Sequence, residues 1–193
     1  MTCINNNYFF FIILVSLSFS ANALLEVNIK KSKEELFPVV IAPFKVIGES
    51  HQGTDIASII RDNLNRSGQF NALSTNEFVT NQINFNFWQE HKKDAVIFGK
   101  IEQVSSKVFN IYIYIYDVFS EKSLYAKKIA VHNSGIRRIA HYLSDKIYYV
   151  LLGQKGSFDT RLSYVTVSES KTGNRTYRLQ ISDSDGYNPQ TVV

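Results

Sequence analysis

Residues 108–119 read VFNIYIYIYDVF, so that Ile111, Ile113 and Ile115 alternate with Tyr112, Tyr114 and Tyr116. A side-chain period of two belongs to an extended strand, because successive side chains leave a pleated backbone on opposite sides. A helix, with a period near 3.6, would scatter the same residues around its circumference. The pattern therefore demands a strand with two unlike faces. The isoleucines require a dry core, while the tyrosines suit a half-buried sheet face beneath a helix or at a sheet margin. Neighbours for this strand lie close in the chain. Asp94 to Val104 precedes it across the polar Ser105-Ser106-Lys107, and Leu124 to Val131 follows across Ser120 to Ser123. Connections this short join antiparallel partners, so a three-stranded meander is expected.

The flanking segments add helices and four further strands. Phe37 to Ile47 (FPVVIAPFKVI) is a strand opened by Pro38 and broken at Pro43. Its Val39-Val40-Ile41 triplet predicts burial on both faces. Ile56, Ile59, Ile60 and Leu64 share one helical stripe, with Thr54 or Asp55 as cap and Gly68 as stop. Gln69 to Leu73 returns as a strand, and the asparagine-rich stretch 76–91 reads as a loop with a short helix around Trp88. Ile136 to Leu152 is a second amphipathic helix, apolar at Ile139, Ala140, Leu143, Ile147 and Val150 or Leu151, and closed by Gly153. Arg161 to Ser168 and Thr176 to Ile181 then form a hairpin with little to pack against, followed by the turn Asp183-Ser184-Asp185-Gly186. In this order the elements predict an α/β fold: a two-layer sandwich of a mixed sheet with two main helices on one face, plus a short, isolated C-terminal hairpin.

The leading end bounds where the protein works. Tyr8 to Phe19 is an apolar run followed by Ser20 and Ala21-Asn22-Ala23, the core and small-x-small cleavage site of a removable export signal. It falls short of the about 20 apolar residues that cross a bilayer, so residues 1–23 predict export, cleavage and no stable membrane insertion. No Lys or Arg precedes Lys30, which is atypical of such signals. The only cysteine, Cys3, leaves with the signal, so the mature chain is expected to carry no disulfide. The net charge of +4 is dispersed over separate pairs such as Lys30-Lys31, Lys127-Lys128 and Arg137-Arg138. Nucleic acid calls for a concentrated basic stripe, so no nucleic-acid partner is expected.

Catalytic patterns are missing from the sequence. His51, His91, His132 and His141 share no metal-ligand spacing, and no phosphate-binding glycine loop or nucleophile elbow is written. His141 reads as an interfacial or surface residue of the second helix. Asp183 to Gly186 lacks the further acidic ligands of a calcium loop and reads as a plain turn. No catalytic, metal or cofactor-binding residue is therefore assigned. A small exported hydrolase on the same fold is the competing reading, and it requires convergent titratable groups in a concave site.

Six segments, in order, resemble the amino-terminal domain of the TolB family. They are Glu26-Val27-Asn28-Ile29, Val39 to Phe44, Arg66-Ser67-Gly68-Gln69-Phe70, Asp94 to Gly99, Lys155 to Val165, and Ser182 to Asn188. TolB proteins are non-enzymatic periplasmic adaptors of the Tol–Pal system of Gram-negative bacteria, between an inner-membrane machine and the outer membrane. The resemblance implies the periplasm and a part in outer-membrane integrity and cell division. It also implies that the mature leading strand binds the C-terminal domain of a TolA-like inner-membrane protein. The matching positions are Leu25, Glu26, Val27, Asn28, Ile29, Lys30 and Lys31. An alternating segment with free backbone groups can add to a partner's sheet edge, and the two lysines can steer it. The family continues into a six-bladed propeller that carries the main surface for the lipoprotein Pal. Residues 163–193 match only the start of its first blade, so a Pal-like partner is not expected. The resulting layout is a signal at 1–23, a flexible partner-binding segment at 24–35, an α/β domain at 36–157 and the start of a truncated propeller at 158–193.

Overall fold

The computed structural model describes residues 36–48, 55–76, 78–79 and 82–192. The Ile/Tyr alternation becomes strand β5 (Val108–Asp117), paired antiparallel with β4 (Ala95–Gln103) on one side and β6 (Ser123–His132) on the other. Three parallel partners complete the sheet. These are β1 (Phe37–Ile41) against β4, β3 (Phe70–Ser74) against β1, and the short β2 (Lys45–Ile47) against the far end of β4. The order β3-β1-β4-β5-β6, with β2 alongside β4, is the expected mixed sheet. Between β1 and β2, Ala42–Phe44 makes the break anticipated at Pro43.

Helix α1 (Ile56–Arg66) and helix α3 (Ile136–Leu152) cover the isoleucine face. Asp55 caps α1 by accepting a hydrogen bond from the Ser58 backbone N–H at 3.1 Å. α3 follows a 3₁₀ turn at Asn133–Gly135 and stops at Gly153, whose φ of +70° favours glycine. Ile111, Ile113 and Ile115 are completely buried against Ile60, Leu64, Leu143 and Ile147. Removing each such side chain from water stabilises the fold by about 1.5–3 kcal/mol.

The tyrosine face is covered as well, by α2 (Phe85–Glu90), a helix of six residues. Its Trp88 packs with Val40, Ala42, Val96, Phe98 and Val118. Gln89 donates to the Val118 carbonyl at 3.0 Å, which fixes α2 to the end of β5. Tyr114 and Tyr116 stack on Phe98, with ring centroids 5.1 and 5.9 Å apart. The two long helices share one face as expected, and the short helix adds a partial third layer. Val39 and Ile41 therefore enter one core and Val40 the other, which accounts for the all-buried triplet.

The second sheet is made of β7 (Arg161–Glu169), β8 (Arg175–Asp183) and the two-residue β9 (Gln190–Thr191), in that order. The expectation of an isolated hairpin needs correction in two respects. A third strand pairs with β8 through Gln180 and Ile181, and side chains of α3 bind the turn beyond β8. Among the described residues no helix is long and apolar enough to cross a membrane.

Candidate functional site

The expected partner segment, Leu25 to Lys31, lies outside the described residues, together with the signal at 1–23 and the rest of 24–35. The described chain opens at Leu36 and passes directly into β1. β1 is flanked by β3 and β4.

A polar cluster gathers where α3 meets the turn after β8. Arg137 and His141 lie one turn apart on α3 and so face the same way. The Arg137 guanidinium donates from Nε to Asp183 at 3.3 Å and from Nη2 to Asp185, and it stacks on the Tyr187 ring at 3.8 Å. Asp185 also accepts the Tyr187 backbone N–H at 3.1 Å, so one aspartate shapes the turn and binds the helix together. His141 is only 3% exposed. Its Nδ1 meets the Asn63 amide nitrogen of α1 at 2.9 Å. Its Nε2 has no hydrogen-bond partner and lies 3.7 Å from Asp185. Burial holds the His141 pKa below the ordinary histidine value. The Asp185 charge opposes that shift, and Arg137 reinforces it.

A second carboxylate fixes the connection between α3 and the second sheet. Asp145 accepts the backbone N–H groups of Phe158 at 2.7 Å and Asp159 at 3.0 Å. Arg138 reaches Asp159 at 3.1 Å from two turns earlier in the helix. A groove of about 740 Å³ between these elements is lined by Arg137, Arg138, His141, Asp159, Arg161 and Tyr187.

Several sequence expectations meet this geometry. Of the two readings given for His141, interfacial or surface, the structure takes the interfacial one, with the ring buried between α1 and the turn after β8. His141, Asp183 and Asp185 place ligand atoms within 4.8 Å of one another, a grouping that no spacing in the sequence announced. The Arg137 guanidinium takes the position between the two carboxylates that a cation would otherwise fill. Ser144, which shares the Asn63 amide nitrogen with His141, donates to the Ala140 carbonyl at 2.9 Å and is itself fully buried. The tyrosines of β5 are engaged within the protein. Tyr112 lies under Lys100 and donates to Glu102 at 2.9 Å, and the other two stack on Phe98. One signal for the missed cluster was available, since His141 and Ser144 are the two polar residues within the buried stripe of α3.

The profile of the TolB amino-terminal domain matches residues 25–124. The chain belongs to this family. The Tol–Pal system protein TolB of Ruthia magnifica subsp. Calyptogena magnifica is 57% identical over 169 residues, covering 88% of this chain and 40% of that protein. That of Vesicomyosocius okutanii is 51% identical over 171 residues, with 89% and 40% covered. The crystal structure of TolB from Acinetobacter baumannii superposes with a TM-score of 0.70 at 33% identity, over 82% of this chain and 39% of that one. The chain thus spans about 40% of the length of the TolB relatives it matches. In TolB terms, the described residues comprise the mixed α/β domain and the separate three-stranded antiparallel sheet that follows it.

Proposed function

We propose that this TolB-family chain is a non-enzymatic, periplasmic binding module of the Tol–Pal type. Its leading segment, Leu25 to Lys31, adds as a strand to the C-terminal domain of a TolA-like inner-membrane protein. The carrying observation is the match to the TolB amino-terminal domain, which begins at Leu25 and so includes this segment. The alternation of Leu25, Val27 and Ile29 with Glu26 and Asn28 suits strand addition, in which backbone groups give affinity and alternate side chains give specificity. The same residues are proposed to support outer-membrane integrity and cell division through this contact.

Deleting residues 24–33 tests the reading. Titration calorimetry against a TolA C-terminal domain is expected to lose its binding signal, while the far-ultraviolet circular dichroism of the deleted form stays that of the parent. Equal affinity in the two forms overturns the assignment of the segment.

A further inference from the structure

The hydrogen bonds around His141 fix which of its nitrogens carries the proton. Ser144 Oγ spends its single hydrogen on the Ala140 carbonyl, so from Asn63 it can only accept, at 2.9 Å. Arg66 Nη2 can only donate, at 2.8 Å, so it meets the oxygen of the same Asn63 amide. Both constraints turn the Asn63 NH₂ group toward His141 and Ser144. His141 Nδ1 must therefore accept from Asn63, and the neutral ring carries its hydrogen on Nε2. That Nε2–H is buried and faces Asp185 from 3.7 Å, beyond a hydrogen bond. With a hydrogen on Nε2 and Arg137 already on both carboxylates, the trio of His141, Asp183 and Asp185 is poorly prepared for a metal ion, which needs a bare ring nitrogen.

We propose that His141 is a proton-operated changeover between two contacts of α3: with α1 when neutral, and with the turn after β8 when charged. A second proton can land only on Nδ1, where it meets the Asn63 amide hydrogens donor against donor. The α1 contact is then lost. The same charge draws the ring's Nε2–H toward the Asp185 carboxylate. The charged groups facing the ring are Arg66 from α1, Arg137 from α3, and Asp183 and Asp185 from the end of β8 and its turn. Burial disfavours the imidazolium, so the changeover operates on the acid side of the ordinary histidine value. The linkage sign follows. The folded state holds fewer protons than the unfolded chain just below about pH 6.5, so stability is complete above that value and declines as pH falls toward the lowered pKa.

Nitrogen-15 NMR of the His141 ring in the full chain, with amide protection factors measured between about pH 7.5 and about pH 5.5, tests this. The expected neutral form has a bare Nδ1 and a protonated Nε2. With acid, protection is expected to fall in 56–66 by up to about tenfold per pH unit, and to hold or rise in 183–187. Asn63→Asp supplies a carboxylate acceptor to Nδ1–H and is expected to raise the ring's midpoint by about one unit or more. Should that variant fail to fold, His141→Gln is expected to abolish the pH dependence of protection in 56–66. A neutral ring protonated on Nδ1 overturns the proposal. So does a midpoint unmoved by Asn63→Asp, or a pH dependence that survives His141→Gln.

Discussion

At Gly99 the β4 backbone passes so close to the Tyr112 carbonyl and the Phe44 ring that an added Cβ would overlap both. Phe44 belongs to the break between β1 and β2, and its ring lies in the helix-side core at 7% exposure. The glycine is therefore a seat for an aromatic ring. Gly99→Ala is expected to cost about 1–3 kcal/mol, the usual penalty of overfilling a packed site. Urea denaturation followed by circular dichroism measures it, and an unchanged midpoint refutes the close approach. Sequence alone gives such a residue no weight, because a lone glycine in a strand announces a close neighbour without naming it. His141 poses the same difficulty. Its place in the α3 stripe was readable from spacing, but Asp183 and Asp185 reach it only through the path of the intervening second sheet.

At the scale of elements, the tight turn between β5 and β6 rests on one carboxylate. Asp117 accepts the Ser120 backbone N–H at 2.6 Å, and this bond holds its pKa below the usual carboxylate value although burial opposes the shift. Protonating it costs more in the folded state than in the unfolded one. Its contribution is therefore present above about pH 3.9 and lost as pH falls through the lowered pKa. Asp94 behaves oppositely. Burial, followed by the nearby Asp117 charge, raises its pKa, so its contribution is present at low pH and fades as pH rises through the raised value. Asp117→Asn is expected to flatten the acid limb of stability and to bring the Asp94 titration closer to ordinary in carboxyl-carbon NMR. An acid limb identical to the parent's sinks the assignment. The elements themselves were mostly legible. The Ile/Tyr alternation gave β5 and its neighbours, and the apolar stripes gave α1 and α3. The covering role of α2 was not, because six residues among asparagines span too little of a helical period to show which face they bury. Nor was β9, whose two residues carry no periodicity.

For the whole molecule, the second sheet is held to the first layer mainly by polar contacts with α3. Arg137 makes two of them to Asp183 and Asp185 and adds its stacking on Tyr187. Hydrogen bonds between charged groups contribute about 1.5–3 kcal/mol apiece when partly buried. Arg137→Ala is expected to speed chymotryptic cleavage within 161–192 by about tenfold or more, while the six-stranded sheet keeps its circular dichroism. Cleavage rates matching the parent's would assign the attachment elsewhere. Family and fold class were visible in ordered segments of the sequence, whereas this attachment was not. It depends on an arginine and two aspartates that read, one at a time, as a solvated helix face and a turn.

The Asp145 grip on the backbone of Phe158 and Asp159 has a mechanical consequence. It leaves the stretch between Gly153 and Arg161 little slack, so the ribbons beyond travel with α3 as one lever instead of trailing on a tether. A tug on those ribbons would be shared between the Asp145 clasp and the Arg137 contacts before it reached the helix backbone, which makes the two together the fuse of the joint.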